Sequence, residues 1–175
     1  MSTPSSQPIA FCLVRIDDRL LHGQVVLNWI SVLQPRCVAI VDDEAARDSA
    51  VSGLYALALP ASVPLKITSL AEARCALLGD TSHPPERTLV LLRSPAVAVA
   101  LYDLDVHYTA LNLGCLGSAP GRVRVRRQLC LSREEVTLLH GLSARGVRVI
   151  AQAVPAESSL SMEEIACRVL HTHTA

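Results

Sequence analysis

Residues 88–92, TLVLL, form an apolar run with no alternation of polar and apolar positions. A strand with one wet face alternates, so an unbroken run of this length marks a strand covered on both faces. Similar short runs occur at 10–16 (AFCLVRI), 36–41 (RCVAIV), 65–68 (LKIT), 110–113 (ALNL) and 147–151 (VRVIA). Segments with helical signals lie between them. One runs through Trp29 to about residue 33, one spans 45–59 and stops at Pro60, and one spans 70–78 and ends at Gly79. Ser94 followed by Pro95 is an N-cap and first-turn pair for a helix to about Tyr102. Ser132 with Glu135, and Ser161 with Glu164, are capping boxes that open helices to Ala144 and about Leu170. Gly146 stops the first of these, 122–127 is a further short strand, and 81–86 (TSHPPE) is a loop.

Strands alternating with helices predict an α/β chain: a single domain with an open, mostly parallel β-sheet flanked by helices on both faces. The 175 residues suit one such domain, expected over 10–170, with a disordered lead-in at 1–9 and a disordered tail at 171–175. No apolar stretch reaches the roughly 18 residues of a membrane span. The first residues lack the basic and apolar regions of a secretory signal, so the expected location is cytoplasmic. Sixteen cations balance sixteen acids, which gives no electrostatic reason to expect a nucleic acid partner. One basic cluster, Arg122, Arg124, Arg126 and Arg127, reads most simply as a solvated strand face, with docking of an acidic or phosphorylated partner as the other reading. The six cysteines show neither a CxxC pair nor metal-ligand spacing, and Cys12, Cys37, Cys75 and Cys167 lie in apolar runs where free thiols behave as small core residues. The histidines outside position 22 share no ligand spacing, so neither a metal nor a cofactor is expected.

In open α/β sheets, chemistry gathers beyond the carboxyl ends of the strands. The first such loop is the most unusual: 14–25 reads VRIDDRLLHGQV. Its residues suit a phosphoryl carrier. The His22 imidazole can hold phosphate covalently, and Arg15 and Arg19 can offset the added charge through charge-assisted hydrogen bonds. Asp17 or Asp18 can hold an arginine in place or select the imidazole tautomer. Gly23 permits a tight turn, and the helix start beyond it offers free N–H groups to an anion. On composition and spacing alone, His22 reads more simply as a cap or a surface residue.

The string RIDDRLLHGQV resembles the active-site signature of IIB components in the mannose–fructose–sorbose class of the bacterial sugar phosphotransferase system (PTS). Positions 15–24 follow the signature throughout, with Leu21 in place of the usual isoleucine. Similar agreement extends to 40–44 (IVDDE), 91–95 (LLRSP), 111–114 (LNLG) and 144–149 (ARGVRV). The resemblance implies a phosphotransferase in which His22, through Nδ1, accepts a phosphoryl group from a phosphorylated IIA protein. It passes the group to a sugar held by membrane components IIC and IID, with which the chain is peripherally associated. The supporting set is then Arg15, Asp17, Arg19, Gly23, Gln24, Arg93 and Ser94. Arg93 has a surface reading of equal weight, and Ser94 a simpler one as an N-cap. A homo-oligomer is compatible with the chain. Cys115 stands where relatives carry a second glycine, and 116–128 departs from their pattern. These departures leave open an alternative, a phosphorylation-dependent signalling protein not coupled to transport.

Overall fold

A computed structural model describes residues 11–79 and 87–171. The expected lead-in at 1–9, the loop at 81–86 and tail residues 172–175 lie outside the described residues. The apolar runs become β1 (Leu13–Ile16), β2 (Cys37–Val41), β3 (Leu65–Thr68), β4 (Thr88–Leu92), β5 (Ala110–Leu113) and β8 (Arg148–Ala151); β3, β4 and β5 match their runs and the others start one to three residues later. With β9 (Leu160–Ser161) they form a seven-stranded sheet in the order β3-β2-β4-β1-β5-β8-β9, parallel except for the β8–β9 pair.

Strand alternation divides the core into two layers. Val14, Ile16, Val90, Leu92, Leu111 and Leu113 face one way, packing on α4 (Ala73–Leu78), α5 (Pro95–Asp103), α6 (Arg133–Ala144) and α7 (Met162–Leu170). Val38, Ile40, Leu89 and Leu91 face the other way, toward Val25, Trp29 and Ile30 of α1 (Val25–Leu33) and Ala45 of α2 (Asp43–Arg47). All five residues of β4 are buried, as its unpatterned sequence requires.

Both capping boxes form: the Ser132 and Ser161 hydroxyls accept from the Glu135 and Glu164 backbone, and each glutamate bonds back to its serine N–H. Ser94 caps α5 by accepting from Val97 N at 3.4 Å. The single helix expected over 45–59 is instead two. Asp48 leaves the helical conformation and its side chain accepts from Ala50 N and Val51 N, ending α2 and capping α3 (Ser49–Ala58). A short acid next to a free helix start stabilises the break more than it tolerates an interior position. The strand expected at 122–127 is one arm of a separate antiparallel hairpin, β6 (Val123–Arg126) and β7 (Leu129–Leu131). Helix α1 opens as a π-helical stretch, Val25–Ile30, before an α-helical turn, Ser31–Leu33. Asn28 and Ser31 bond their side chains to the carbonyls of Gln24 and Leu27 within it. Two of the cysteines read as core residues are exposed instead: Cys75 on α4 and Cys167 on α7 face outward, while Cys37 is buried.

Leu91 is buried in β4, at the centre of the sheet. Leu91→Ala is expected to cost about 2–5 kcal/mol, read from urea unfolding midpoints. An unchanged midpoint would mean that the second core layer is not close-packed.

Candidate functional site

Strands β1 and β5 lie side by side, yet the chain leaves β1 toward β2 on one side and leaves β5 toward β8 on the other. Such a reversal opens a crevice at the carboxyl ends of the two strands. The floor of that crevice is Arg15, a fully buried arginine in β1. Its Nη1 donates to Asn112 Oδ1 at 2.5 Å and to the Gln152 carbonyl at 3.0 Å. Its Nη2 donates to Asp17 Oδ2 at 2.9 Å and to the Ala153 carbonyl at 3.2 Å. The guanidinium carbon sits 5.2 Å from the centre of the Trp29 ring, within cation–π range, and Trp29 Nε1 donates to the same Ala153 carbonyl.

Gly114 leaves room for this group. A Cβ built there would lie 2.0 Å from Arg15 Nη2, so only glycine lets the backbone pass over the guanidinium. Burial lowers the Arg15 pKa, and the Asp17 charge works against that shift.

Asp17 is likewise fully buried, and its oxygens divide the work. Oδ2 takes the Arg15 ion pair, while Oδ1 lies 3.1 Å from His22 Nε2 and accepts from Arg19 N at 3.3 Å. The His22 contact has the distance of an ion pair but lacks the alignment of a full hydrogen bond. Burial opposes ionisation of Asp17, yet the contacts with His22 and Arg15 outweigh it and hold its pKa below the ordinary value of 3.8. A proton on Nε2 facing this carboxylate leaves the lone pair of the ring on Nδ1.

The loop between Asp17 and His22 is held in an uncommon shape. Buried Leu20 takes φ 53°, a left-handed value that leucine rarely adopts. Its N–H bonds the Asp17 carbonyl, and its side chain joins the second core layer. On the far side, Arg93 clamps Asp42 with Nε at 2.6 Å and Nη2 at 3.0 Å, and Nη1 bonds the Asp18 carbonyl at 3.1 Å. Burial opposes ionisation of Asp42, but Arg93 and the Ala45 and Glu44 N–H groups lower its pKa. Asp18 is tied to the 114–117 turn: its N–H reaches the Cys115 carbonyl and its Oδ2 accepts from Gly117 N at 2.6 Å.

Residues 11–174 match the family described as the sorbose-subfamily IIB component of the PTS. The chain belongs to that family. It is 25% identical to the mannose-specific EIIAB component of Escherichia coli K12 over 90% of this chain, and it spans 48% of that relative's length. It is 25% identical to the sorbose-specific EIIB component of Klebsiella pneumoniae, covering 86% of this chain and 91% of the relative. The fold superposes on the crystal structure of manxB from Thermoanaerobacter tengcongensis with TM-score 0.81 and 28% identity, covering 88% of this chain and 93% of that one. The IIBSor domain of the sorbose permease from Klebsiella pneumoniae superposes with TM-score 0.79 at 24% identity, covering 91% and 96%. A IIB component of the sorbose and mannose class is a phosphotransferase that takes part in sugar uptake. Among the described residues no helix is long and apolar enough to cross a membrane.

The residues of the IIB signature fall into distinct places. Arg15, expected to face the phosphoryl group, is instead buried with both terminal nitrogens engaged, and its ion pair holds Asp17 in place, the reverse of the expected order of arginine and orienting carboxylate. Arg19 is exposed, and its bond to Gln24 Oε1 is long at 3.4 Å, leaving guanidinium donors for an incoming anion. Gly23 has no left-handed φ, and a Cβ there would meet nothing within 4 Å, so the strained turn expected of it falls on Leu20. Arg93 is committed to Asp42 and the Asp18 carbonyl and braces the loop from outside, while Ser94 only caps its helix. Cys115 also lacks a positive φ, so the missing second glycine costs no backbone strain.

Asp17, Asp18 and Cys115 offer ligand atoms within 4.8 Å of one another. Asp17 is already engaged, and burial with the Asp18 and Asp17 charges pushes the Cys115 thiol up and keeps it protonated, a poor donor set for a cation. Sequence reasoning missed the cage around Arg15 and the pairing of Asp42 with Arg93. Asn112 and Gly114 lay within the quoted LNLG segment, Asp42 within IVDDE, and Trp29 is the only tryptophan; Gln152 carried no local signal.

Gly114→Ala is expected to destabilise the fold by at least about 2 kcal/mol and to change the Trp29 fluorescence as Arg15 is displaced. A variant with wild-type stability and emission would refute the cage. Asp17 and Asp42 stay ionised at pH values where the unfolded chain already binds protons. Stability from these groups is therefore level above about pH 5 and falls as pH drops through about 4 toward their lowered pKa values. Urea midpoints measured against pH should show that fall, and Asp42→Asn should flatten it.

Proposed function

We propose that His22 is the phosphoryl carrier of this IIB chain, accepting the group on Nδ1 from a phosphorylated IIA protein and handing it to a sugar. The observation that carries this reading is the Arg15–Asp17–His22 relay, with 2.9 Å and 3.1 Å between successive partners. A buried carboxylate that cannot turn holds one ring nitrogen, so the other is left as the nucleophile in a fixed direction.

In the first step the N–P bond of the donor phosphohistidine breaks as the Nδ1–P bond forms. The donor leaves with its own lone pair, and the Nε2 proton of His22 stays against Asp17. In the second step a sugar hydroxyl oxygen bonds to phosphorus while the Nδ1–P bond breaks, and the hydroxyl proton departs to a base. Both steps spread charge over the phosphoryl oxygens, so catalysis is mainly positioning and charge compensation. Arg19 supplies the accessible cation, and Gln24, bonded to it, sets its direction.

The names of the relatives support a hexose-class acceptor: mannose and sorbose above, fructose for a Bacillus subtilis EIIB component, and N-acetylgalactosamine for an Escherichia coli one. The membrane components IIC and IID would present that sugar, with this chain at the cytoplasmic face.

The test is to incubate the chain with phosphoenolpyruvate, the two general phosphotransferase proteins and the IIA of its own genome, following intact mass and phosphorus NMR. Wild type should gain one acid-labile, base-stable phosphate with the shift of an Nδ1 phosphohistidine, and His22→Ala should gain none. Arg19→Gln should slow the transfer on the order of 100-fold. A phosphorylated IIA beside an unmodified wild-type chain would overturn the assignment.

A further inference from the structure

The Gln152 and Ala153 carbonyls that close the Arg15 cage lie in the turn that follows β8. Gln152 N still bonds the Leu113 carbonyl at 3.0 Å, and beyond it the backbone is held mainly by side chains. Gln152 Nε2 donates to the Pro155 and Glu157 carbonyls at 3.1 and 2.6 Å, and Glu157 N donates to the Val154 carbonyl at 3.0 Å, so the turn closes on itself. Glu157 then reaches back: its Oε2 accepts from Ala153 N at 2.9 Å. Its Oε1 pairs with Arg126 Nη1 of the β6–β7 hairpin, and Arg126 Nη2 donates to the Ser158 carbonyl at 2.7 Å.

The peptide unit joining Gln152 to Ala153 is planar and trans, so its N–H points opposite to its C=O. A carboxylate on the N–H side therefore sets the direction of the Gln152 carbonyl, which accepts from Arg15 Nη1 at 3.0 Å and from Asn112 Nδ2 at 3.3 Å. Charge adds to geometry. A negative group behind an N–H polarises the peptide and makes its carbonyl a stronger acceptor for a cation. The next carbonyl, that of Ala153, takes Arg15 Nη2 and Trp29 Nε1 together. Arg15 in turn holds Asp17, and Asp17 faces His22. Glu157 thus stands at the far end of a line of contacts that ends on the imidazole, and Arg126 ties it to the hairpin. Neither residue belongs to the signature around His22.

We infer that Glu157 is a positioning residue for phosphoryl transfer. It sets the Arg15 cage through the 152–153 peptide and, through Asp17, the direction of the His22 ring. The effect on transfer rests on the reading of His22 as carrier; the anchoring of the turn does not. Because Glu157 acts through other groups, its loss slows the step after docking and leaves docking itself alone.

Single-turnover transfer from phosphorylated IIA to the full chain would be followed by rapid quench over a range of IIA concentrations. The indole N–H resonance of Trp29, the only tryptophan, would be recorded beforehand in the unphosphorylated chain. Glu157→Ala should lower the maximal rate at least about tenfold while the half-saturating concentration stays within about twofold. Its indole resonance should move as the Ala153 carbonyl shifts. Glu157→Gln keeps an acceptor for Ala153 N and should regain most of the rate. Leu142→Ala, a core change outside this line of contacts, should lose stability yet keep the wild-type rate in its folded fraction.

A folded Glu157→Ala with either the wild-type maximal rate or the wild-type indole resonance would overturn the proposal. A raised half-saturating concentration at unchanged maximal rate would make Glu157 a docking contact and overturn it as well. An equal fall in Leu142→Ala would show that any loosening of the fold slows transfer, with the same consequence. If Glu157→Ala does not fold, Arg126→Gln, which leaves Glu157 tied on one side only, takes its place and the same two readings decide. A wild-type chain that takes no phosphate would sink the carrier reading and with it the effect on transfer, while the indole resonance still decides the anchoring.

Discussion

A fully buried guanidinium is the constraint around which this structure is arranged. Removing an arginine from water costs several kcal/mol unless each of its donors is satisfied and a countercharge is close. Arg15 satisfies both terminal nitrogens and gains a countercharge by drawing four segments together: Asn112 of β5, the carbonyls of Gln152 and Ala153 beyond β8, Trp29 of α1, and Asp17 two residues on. Its only unpartnered nitrogen is Nε, under the Gly114 backbone. The cage explains why an asparagine and a glycine interrupt an otherwise apolar strand end, and why a tryptophan lies where α1 crosses the sheet.

The same arrangement removes the freedom of the loop above it. Asp17 is fixed from below by Arg15, Leu20 is pinned in a left-handed conformation by its place in the core, and Asp18 is held from two sides, by Arg93 and by Gly117 N. Strain of this kind persists where the surroundings over-determine the backbone. A group that receives and releases a phosphoryl unit gains from such rigidity, because positioning makes up most of what a protein contributes to that chemistry. The basic cluster follows a parallel logic. Arg122 and Arg126 are drawn into pairs with Glu135 and Glu157, so a patch that reads as four free charges is partly neutralised.

Local patterns carried much of this architecture. Apolar runs without alternation report strands buried on both faces, and two capping boxes report helix starts, because burial and N-terminal hydrogen bonding depend on residues close in sequence. The limits of local reading are equally physical. A helix pattern over 45–59 conceals a break, since Asp48 is compatible with either an interior or a cap until its side chain finds free N–H groups. The hairpin partner β7 is three residues long, too short for periodicity to register.

By itself, then, the sequence determined the α/β class, the parallel sheet, the family and the loop around His22, all from contiguous residues whose chemistry or order is distinctive. The tertiary structure alone decided the division of labour within that loop. Arg15 and Arg19 are the same residue type four positions apart, yet one is sealed beneath Gly114 and Trp29 and the other stands in solvent. That difference arises from residues about 100 positions further along the chain, which meet Arg15 only when β5 and β8 pair beside β1. A guanidinium takes its role from which donors remain free, and that count exists only once the chain has folded.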